Sequence, residues 1–300
     1  METRELGKTG LTVSRLGMGL NEIGYLALSD VATAAEVLNL ALDSSISFLD
    51  TAACYGNSEE LVGRAISDRR REFVLSTKAG HAVGDYAGSS WTAKTVHDSI
   101  ERSLRRMRTD YLDVVHLHSC SVEILERGEV IQALQDAKHA GKTRHIGYSG
   151  DNEAAAWAVD SGLFDTLETS FNLVDQRARI RLFGSAEEQG MGIIAKRPIA
   201  NAAWGAESSP SSYAAEYHRR AQIMIAEGPV AGAPDDPILL ALGFVLAHKA
   251  VDTAIAGTRN PEHLKTNVRL VEQELPLADE AVEEIRHRFE ELGTSWSQET

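Results

Sequence analysis

Asp50, Tyr55, Lys78 and His118 are residue types that together can move a proton onto a carbonyl oxygen. A free phenol titrates near about pH 10, too high for easy acid-base work at neutrality. A nearby ammonium, here Lys78, favours the phenolate and is expected to pull that value down. Asp50 is expected to hold the ammonium in place. His118 can donate a hydrogen bond to the carbonyl oxygen while Tyr55 delivers its proton and a hydride reaches the carbon. Taken singly, each has an ordinary structural explanation: a loop-capping aspartate, a surface lysine, a packed histidine, a tyrosine in a turn. The four gain meaning from where the sequence places them.

That placement follows from alternation. Short apolar, β-branched runs recur at residues 14–18, 48–50, 73–77, 113–117, 145–148, 166–169, 192–195 and 253–256. Each is followed by a polar loop and then a stretch of helical period. The helical patterns cover 31–43 (capped by Asp30), 93–107 (capped by Thr92), 123–139 (with Gly141 beyond its end), 152–160, 177–188 and 237–248 (Pro237 at the first position). Eight strand-helix units predict parallel strands with right-handed crossovers, an α/β chain closed into a (β/α)8 barrel. An open dinucleotide-binding sheet would show GxGxxG after its first strand, whereas Gly17-Met18-Gly19 is followed by Glu22 in the third place. Residues 2–12 predict an N-terminal hairpin at the barrel's base, and residues 279–292 an additional C-terminal helix outside it. The segment 201–234, rich in Ala, Ser, Gly and Pro, is expected to be a partly mobile active-site loop, and residues 295–300 to fray. The whole, 1–300, reads as one barrel domain.

Function in such a barrel collects at the C-terminal ends of the strands. The second strand ends at Asp50 with Tyr55 just beyond, the third at Lys78 and the fourth at His118, so the four converge on one rim. His116, two residues earlier, is assigned to the strand's other face and to a structural role.

The totals exclude other classes. With 43% hydrophobic residues in 300, there is ample material for a core. The net charge of −14 and the absence of a basic cluster argue against nucleic acid; Arg69-Arg70-Arg71, flanked by Asp68 and Glu72, reads as a solvated turn. Two cysteines make neither a disulfide framework nor a metal motif, so no metal is expected, and Cys54 is read as a small buried hydrophobe. The start lacks an apolar leader and the longest apolar stretch, 239–247, is too short to span a bilayer; a cytoplasmic location without a membrane partner is expected.

Several segments resemble the aldo-keto reductases. LDTAACYGNSE (49–59) looks like the signature LDTAxxYGxSE, and STK (76–78) matches the lysine strand. DYLDVVHLH (110–118) matches DYLDLxxLH, and GKTRHIGYS (141–149) resembles GKVRxIGVS. FNL (171–173) resembles YNL, and GTRNPEHL (257–264) with Asn267 resembles the C-terminal cofactor segment. The matches run in order from about residue 4 to 272. The resemblance implies a barrel that binds NADPH or NADH and reduces an aldehyde or ketone. It makes Tyr55 the general acid, Lys78 and Asp50 its tuners and His118 the carbonyl orienter.

The same resemblance implies cofactor contacts. Ser149 falls where the carboxamide is touched, but Gly150 replaces the asparagine expected next, leaving Asp151 or Asn172 as substitutes. Glu168 replaces a glutamine; it can accept from the amide or instead pair with a neighbouring cation. Lys196 and Arg197 suit pyrophosphate, and Gly257, Thr258, Arg259, His263 and Asn267 the adenine-ribose end. Arg259 as partner of a 2′-phosphate favours NADPH, with NADH as the alternative. Tyr25, Tyr86, Trp91 and Trp204, with Cys120, fall in rim loops and are candidates for a small carbonyl substrate's pocket. Alternatives are a dehydrogenase of a sugar or alcohol running the same chemistry towards oxidation, a cofactor-binding regulatory subunit, and an isomerase or hydrolase that uses Asp50 and His118 without nicotinamide.

Overall fold

A computed structural model describes residues 1–84 and 86–299. β1 (Thr3–Glu5) and β2 (Thr12–Ser14) form the antiparallel hairpin, Arg4 opposite Val13. Eight parallel strands then close into a barrel: β3 (Leu16–Gly19), β4 (Phe48–Asp50), β5 (Val74–Ala79), β6 (Leu112–His118), β7 (Thr143–Ser149), β8 (Thr166–Ser170), β9 (Gly192–Lys196) and β10 (Thr253–Gly257), which pairs back to β3. Order in sequence is order around the barrel, as short right-handed crossovers require.

The helices, in chain order, begin with α1 (Val31–Asp43), α2 (Ser58–Ala65), α3 (Ala93–Met107), α4 (Val122–Glu126), α5 (Glu129–His139) and α6 (Asn152–Ser161). They continue with α7 (Arg177–Arg181), α8 (Phe183–Gln189), α9 (Ala215–Ile225), α10 (Pro237–Ala247), α11 (Pro261–Gln273) and α12 (Asp279–Leu292). Thr92 caps α3 by accepting from the Thr95 N–H (3.2 Å), and Asp236 caps α10 by accepting from Ile238 and Leu239. Among the described residues, no helix is long and apolar enough to cross a membrane.

Several expectations are corrected. Asp30 does not cap α1; its carboxylate accepts from the Ala27 N–H behind it. The helix expected over 123–139 is broken between α4 and α5 by Gly128, whose φ of 72° no continuing helix permits. That over 177–188 is broken at Leu182, φ −122°. The segment 201–234 is no open loop: α9 lies within it, burying Tyr217, Ala221 and Met224. Arg70 is not a solvated turn residue; it is buried and donates to Asp113 (2.6 Å), Phe73 O and Tyr111 O. Residues 295–299 do not fray, because Gln298 is buried and its amide donates to Thr169 Oγ1 and Ser170 O, both at 2.9 Å. Thr300 lies outside the described residues.

Strand periodicity positions the chemistry. Side chains two apart share a face. The inward residues at the lower level, Phe48, Val74, Val114, Ile194 and Ile255, pack on Leu6, Leu11 and Val13 of the hairpin segment as a cluster of their own. Outward residues such as Leu49, Leu75, Val115 and Leu167 join the helices in the main core. Two residues further along, the inward side chains become polar: Asp50, Ser76, His116 and Thr166, then Lys78, His118 and Glu168. His116 and His118 therefore share the inner face, which corrects the assignment of His116 to the other side.

His116 is fully buried, with Ser76 Oγ 3.2 Å from Nδ1 and Thr166 Oγ1 3.0 Å from Nε2. Its ring fits because Gly147 opposes it: a Cβ there would stand 2.3 Å from both His116 Cδ2 and Thr166 Oγ1. Gly147→Ala is accordingly expected to lower the unfolding free energy by about 1–3 kcal/mol, read as a lower urea midpoint at unchanged slope. An unaltered midpoint would refute this packing.

Candidate active site

Lys78 is the centre of the rim. Its side chain has no exposed surface, and its ammonium pairs closely with Asp50 Oδ2, donates to Thr51 O (3.0 Å) and lies 3.3 Å from Glu168 Oε1. Asp50 also accepts from Ser76 Oγ (2.9 Å), and Glu168 accepts from Ser149 Oγ (3.2 Å). Strand register delivers the set: Asp50 pairs with Ser76, Lys78 with His116, His118 with Ser149, and Ser149 with Glu168.

Two carboxylates surround one ammonium. Burial and the neighbouring Glu168 push Asp50 up to about 7 against the pull of Lys78. Burial opposes the Glu168 charge as well, but Lys78, His116 and Lys196 hold it down at about 2. The pair as a unit therefore takes up one proton near neutrality. Burial works against the Lys78 charge too, yet Asp50 and Glu168 keep it above its ordinary value. Burial drives both histidines to the neutral form, His116 to about 4 and His118 well below the usual imidazole range.

Tyr55 stands beside this cluster, with Lys78 Nζ 5.2 Å from its ring centre and the His118 ring edge-on at 5.7 Å. Its pKa is raised, because burial outweighs Lys78 and the Asp50 and Glu168 charges reinforce it. This corrects the expected downward pull: Lys78 is already shared between two carboxylates. His118 Nδ1 lies 3.4 Å from Cys54 Sγ, and Cys54 is exposed rather than a buried hydrophobe, whereas Cys120 is buried. His81, which the sequence reading missed, stands edge-on to His118 (5.2 Å) and to Trp91 (4.7 Å). A histidine three residues past the Lys78 strand position was the available signal.

Other candidate pocket residues are spread more widely. Tyr25 is 69% exposed and follows Gly24, which packs against the Tyr55 carbonyl. The Tyr86 hydroxyl donates to Asp98 of α3 (2.7 Å), turning it towards that helix. Trp204 is buried in the main core.

The cofactor candidates divide likewise. Ser149 and Glu168 face the rim, and among the described residues Glu168 Oε2 is buried with no hydrogen-bond partner, His116 Nδ1 being 3.8 Å away. Gly150 is explained: a Cβ there would sit 2.6 Å from the Tyr148 hydroxyl and ring. Neither proposed substitute is free. Asp151 pairs with Lys196 (2.8 Å) and accepts from Ser170 N, and Asn172 bridges Arg197 O and Val174 N. Arg197 is committed to Glu299 O, Ser170 Oγ and the Tyr213 hydroxyl. The Thr258 hydroxyl accepts from Asn260 N (3.0 Å), and Asn267 is buried on α11. Gly257 at the end of β10 and Arg259 and His263 about the start of α11 are exposed, and Arg259 makes no ion pair among the described residues.

These features fit an extended anionic cofactor bearing an amide. Glu168 Oε2 is a buried acceptor without a partner among the described residues, and Arg259 is a cation at a helix N-terminus that makes no ion pair among them. A metal fits less well. Asp50, His116 and Glu168 are close enough to share an ion, but the Lys78 ammonium already pairs with both carboxylates. A cavity of about 570 Å³ lies elsewhere, lined by Met1, Arg15, Leu246 and Pro276.

The chain matches the model of the Aldo/keto reductase family over residues 15–288. It is 30% identical to an uncharacterized oxidoreductase of Bacillus subtilis, over 92% of this chain and 94% of that one. An L-galactose dehydrogenase of Arabidopsis thaliana is 29% identical, over 90% and 88%. In structure the chain is similar to the holo form of an aldo-keto reductase of Bacillus halodurans: TM-score 0.83, 26% identity and 96% of each chain covered.

The exposure of Cys54 beside His118 sets a simple check. A chromogenic thiol reagent should titrate one thiol per native chain and both in denaturant, and Cys54→Ser should abolish the native signal. Two fast-reacting thiols in the native protein would contradict the burial of Cys120.

Proposed function

The chain belongs to the aldo/keto reductase family and is a nicotinamide-dependent oxidoreductase; from that premise we propose that it reduces an aldehyde or ketone to the alcohol with NADPH, Tyr55 delivering the proton. The observation that carries this reading is Tyr55 itself: a phenol kept protonated, between a buried ammonium and a neutral imidazole. The nicotinamide, when bound, supplies the hydride.

The chain's own residues do the rest. His118 orients the carbonyl oxygen. Being neutral, with Cys54 on Nδ1, it offers Nε2 to the substrate, and a thiol proton donated to Nδ1 leaves the ring hydrogen on Nε2. Tyr55 then releases its proton to the oxygen as negative charge develops there. The phenolate so formed faces Lys78, whose charge is held in place by Asp50 and Glu168. Lys78 thus acts less by lowering the resting pKa of Tyr55 than by stabilising what Tyr55 becomes. Ser149 and Glu168 would meet the carboxamide, and Arg259 with the start of α11 the 2′-phosphate. Trp91 and His81, in edge contact at 4.7 Å, would form one wall of the substrate pocket. A second reading, the same chemistry run towards oxidation of a sugar or alcohol, is favoured by the dehydrogenase among the relatives.

Two variants test this. Tyr55→Phe should lower kcat by about 10²–10⁴-fold while the Kd for NADPH, read by tryptophan fluorescence, stays nearly constant; near-normal turnover would remove Tyr55 from its role. Arg259→Ala should weaken NADPH by about tenfold and leave NADH unaffected, and equal losses for both would place the phosphate elsewhere.

A further inference from the structure

Lys78 faces one carboxylate more than it can neutralise. Asp50 and Glu168 both reach its ammonium, the second at 3.3 Å, and among the described residues neither is ion-paired with another lysine or arginine. The other charged and titratable groups around Glu168 pull on it from further away. His116 and His118 on β6 are neutral, and Lys196 on β9 is paired at 2.8 Å with Asp151 after β7. Arg197 faces Asp151 and is bonded to Glu299 O and Tyr213, and Tyr55 and Cys54 after β4 are uncharged while protonated. With both carboxylates ionised, the inner rim carries one net negative charge. Glu168 Oε2 is buried and, among the described residues, has no hydrogen-bond partner.

The oxidised nicotinamide ring is a cation and the reduced ring is neutral. Hydride transfer requires the ring to lie within roughly 3–3.5 Å of a carbonyl carbon whose oxygen reaches Tyr55 and His118. Glu168 is one ion pair from Tyr55, through Lys78. We propose that Glu168 sets the redox preference of this site: as the second carboxylate on the one Lys78 ammonium it makes the rim hold the oxidised, cationic nicotinamide more tightly than the reduced, neutral one. This rests on the reading of the protein as a nicotinamide enzyme. The same field favours loss of hydride from the reduced ring, because positive charge develops there as the hydride leaves.

The preference depends on pH. Uptake of a proton by the Asp50–Glu168 pair near neutrality removes the excess charge, so the preference is present above that pH and lost below it. The cofactor's own 2′-phosphate also titrates, but it is common to both forms and cancels in their ratio.

The test is to measure Kd for NADP+ and for NADPH by fluorescence, on the full chain, from pH 5.5 to 8.5, with Glu168→Gln in parallel. For the natural chain, Kd(NADP+)/Kd(NADPH) should rise about three- to tenfold as pH falls. In Glu168→Gln it should be about tenfold higher than the natural value at pH 8.5, and flat with pH. A ratio unchanged by the substitution would overturn the proposal. Should the variant fail to fold, a flat ratio in the natural chain would overturn it equally. Binding of neither form would instead defeat the underlying reading of the enzyme, a distinguishable result.

Discussion

An ammonium without exposed surface costs several kcal/mol in lost hydration unless its surroundings replace the water. Lys78 is such a group, and Asp50, Glu168 and the Thr51 carbonyl are the replacement. Each partner comes from a different part of the barrel: β4, β8 and the loop after β4. The ring of strands and the buried charge therefore specify one another. Register determines which carboxylates meet the lysine, and the lysine penalises any register that leaves it unpaired. Tyr55, His118 and the cofactor candidates Ser149 and Glu168 take their environment from this one ion.

The same strands divide stability from chemistry by height. At the lower level their inward side chains are apolar and sealed by the hairpin; one pleat higher they are hydroxyls, imidazoles, carboxylates and an amine. Because the step is two residues, Phe48 and Asp50, or Val74, Ser76 and Lys78, serve both ends within a single short run. The polar layer is dry enough to drive both histidines neutral and to keep Tyr55 protonated, which suits a site that gives a proton away.

Much of this was legible in the residues. The eight strand runs lie within a residue or two of the observed ones, since parallel strands covered on both faces leave continuous apolar signals. The four-residue set at the rim follows from strand ends alone. Period-two alternation also carries the position of His116, since residues two apart share a face; its structural role was legible, its place on the inner face was not. Breaks at Gly128 and Leu182 were hidden inside otherwise helical patterns, and α9 inside a composition that reads as loop. The burial of Gln298 and the commitment of Arg197 to Glu299 depend on contacts more than 100 residues apart, for which local pattern gives no signal. Glu168 was visible as a departure, but whether it would face an amide or a cation depended on the distance to Lys78.

The seam of the barrel joins distant stretches of chain. β10 pairs with β3, and Asp252, just before β10, accepts hydrogen bonds from Gly7 N (3.1 Å) and Ile193 N (2.9 Å). These are contacts of long sequence separation, the kind that make closure late and slow. An incomplete ring leaves strand edges open on both sides. A folding intermediate with only β3 to β6 in place would hold Lys78 with Asp50 but without Glu168, which arrives on β8. Closure of the wall thus adds a second carboxylate to a cation that Asp50 already pairs, and the rim reaches its final charge only as the sheet completes its circle.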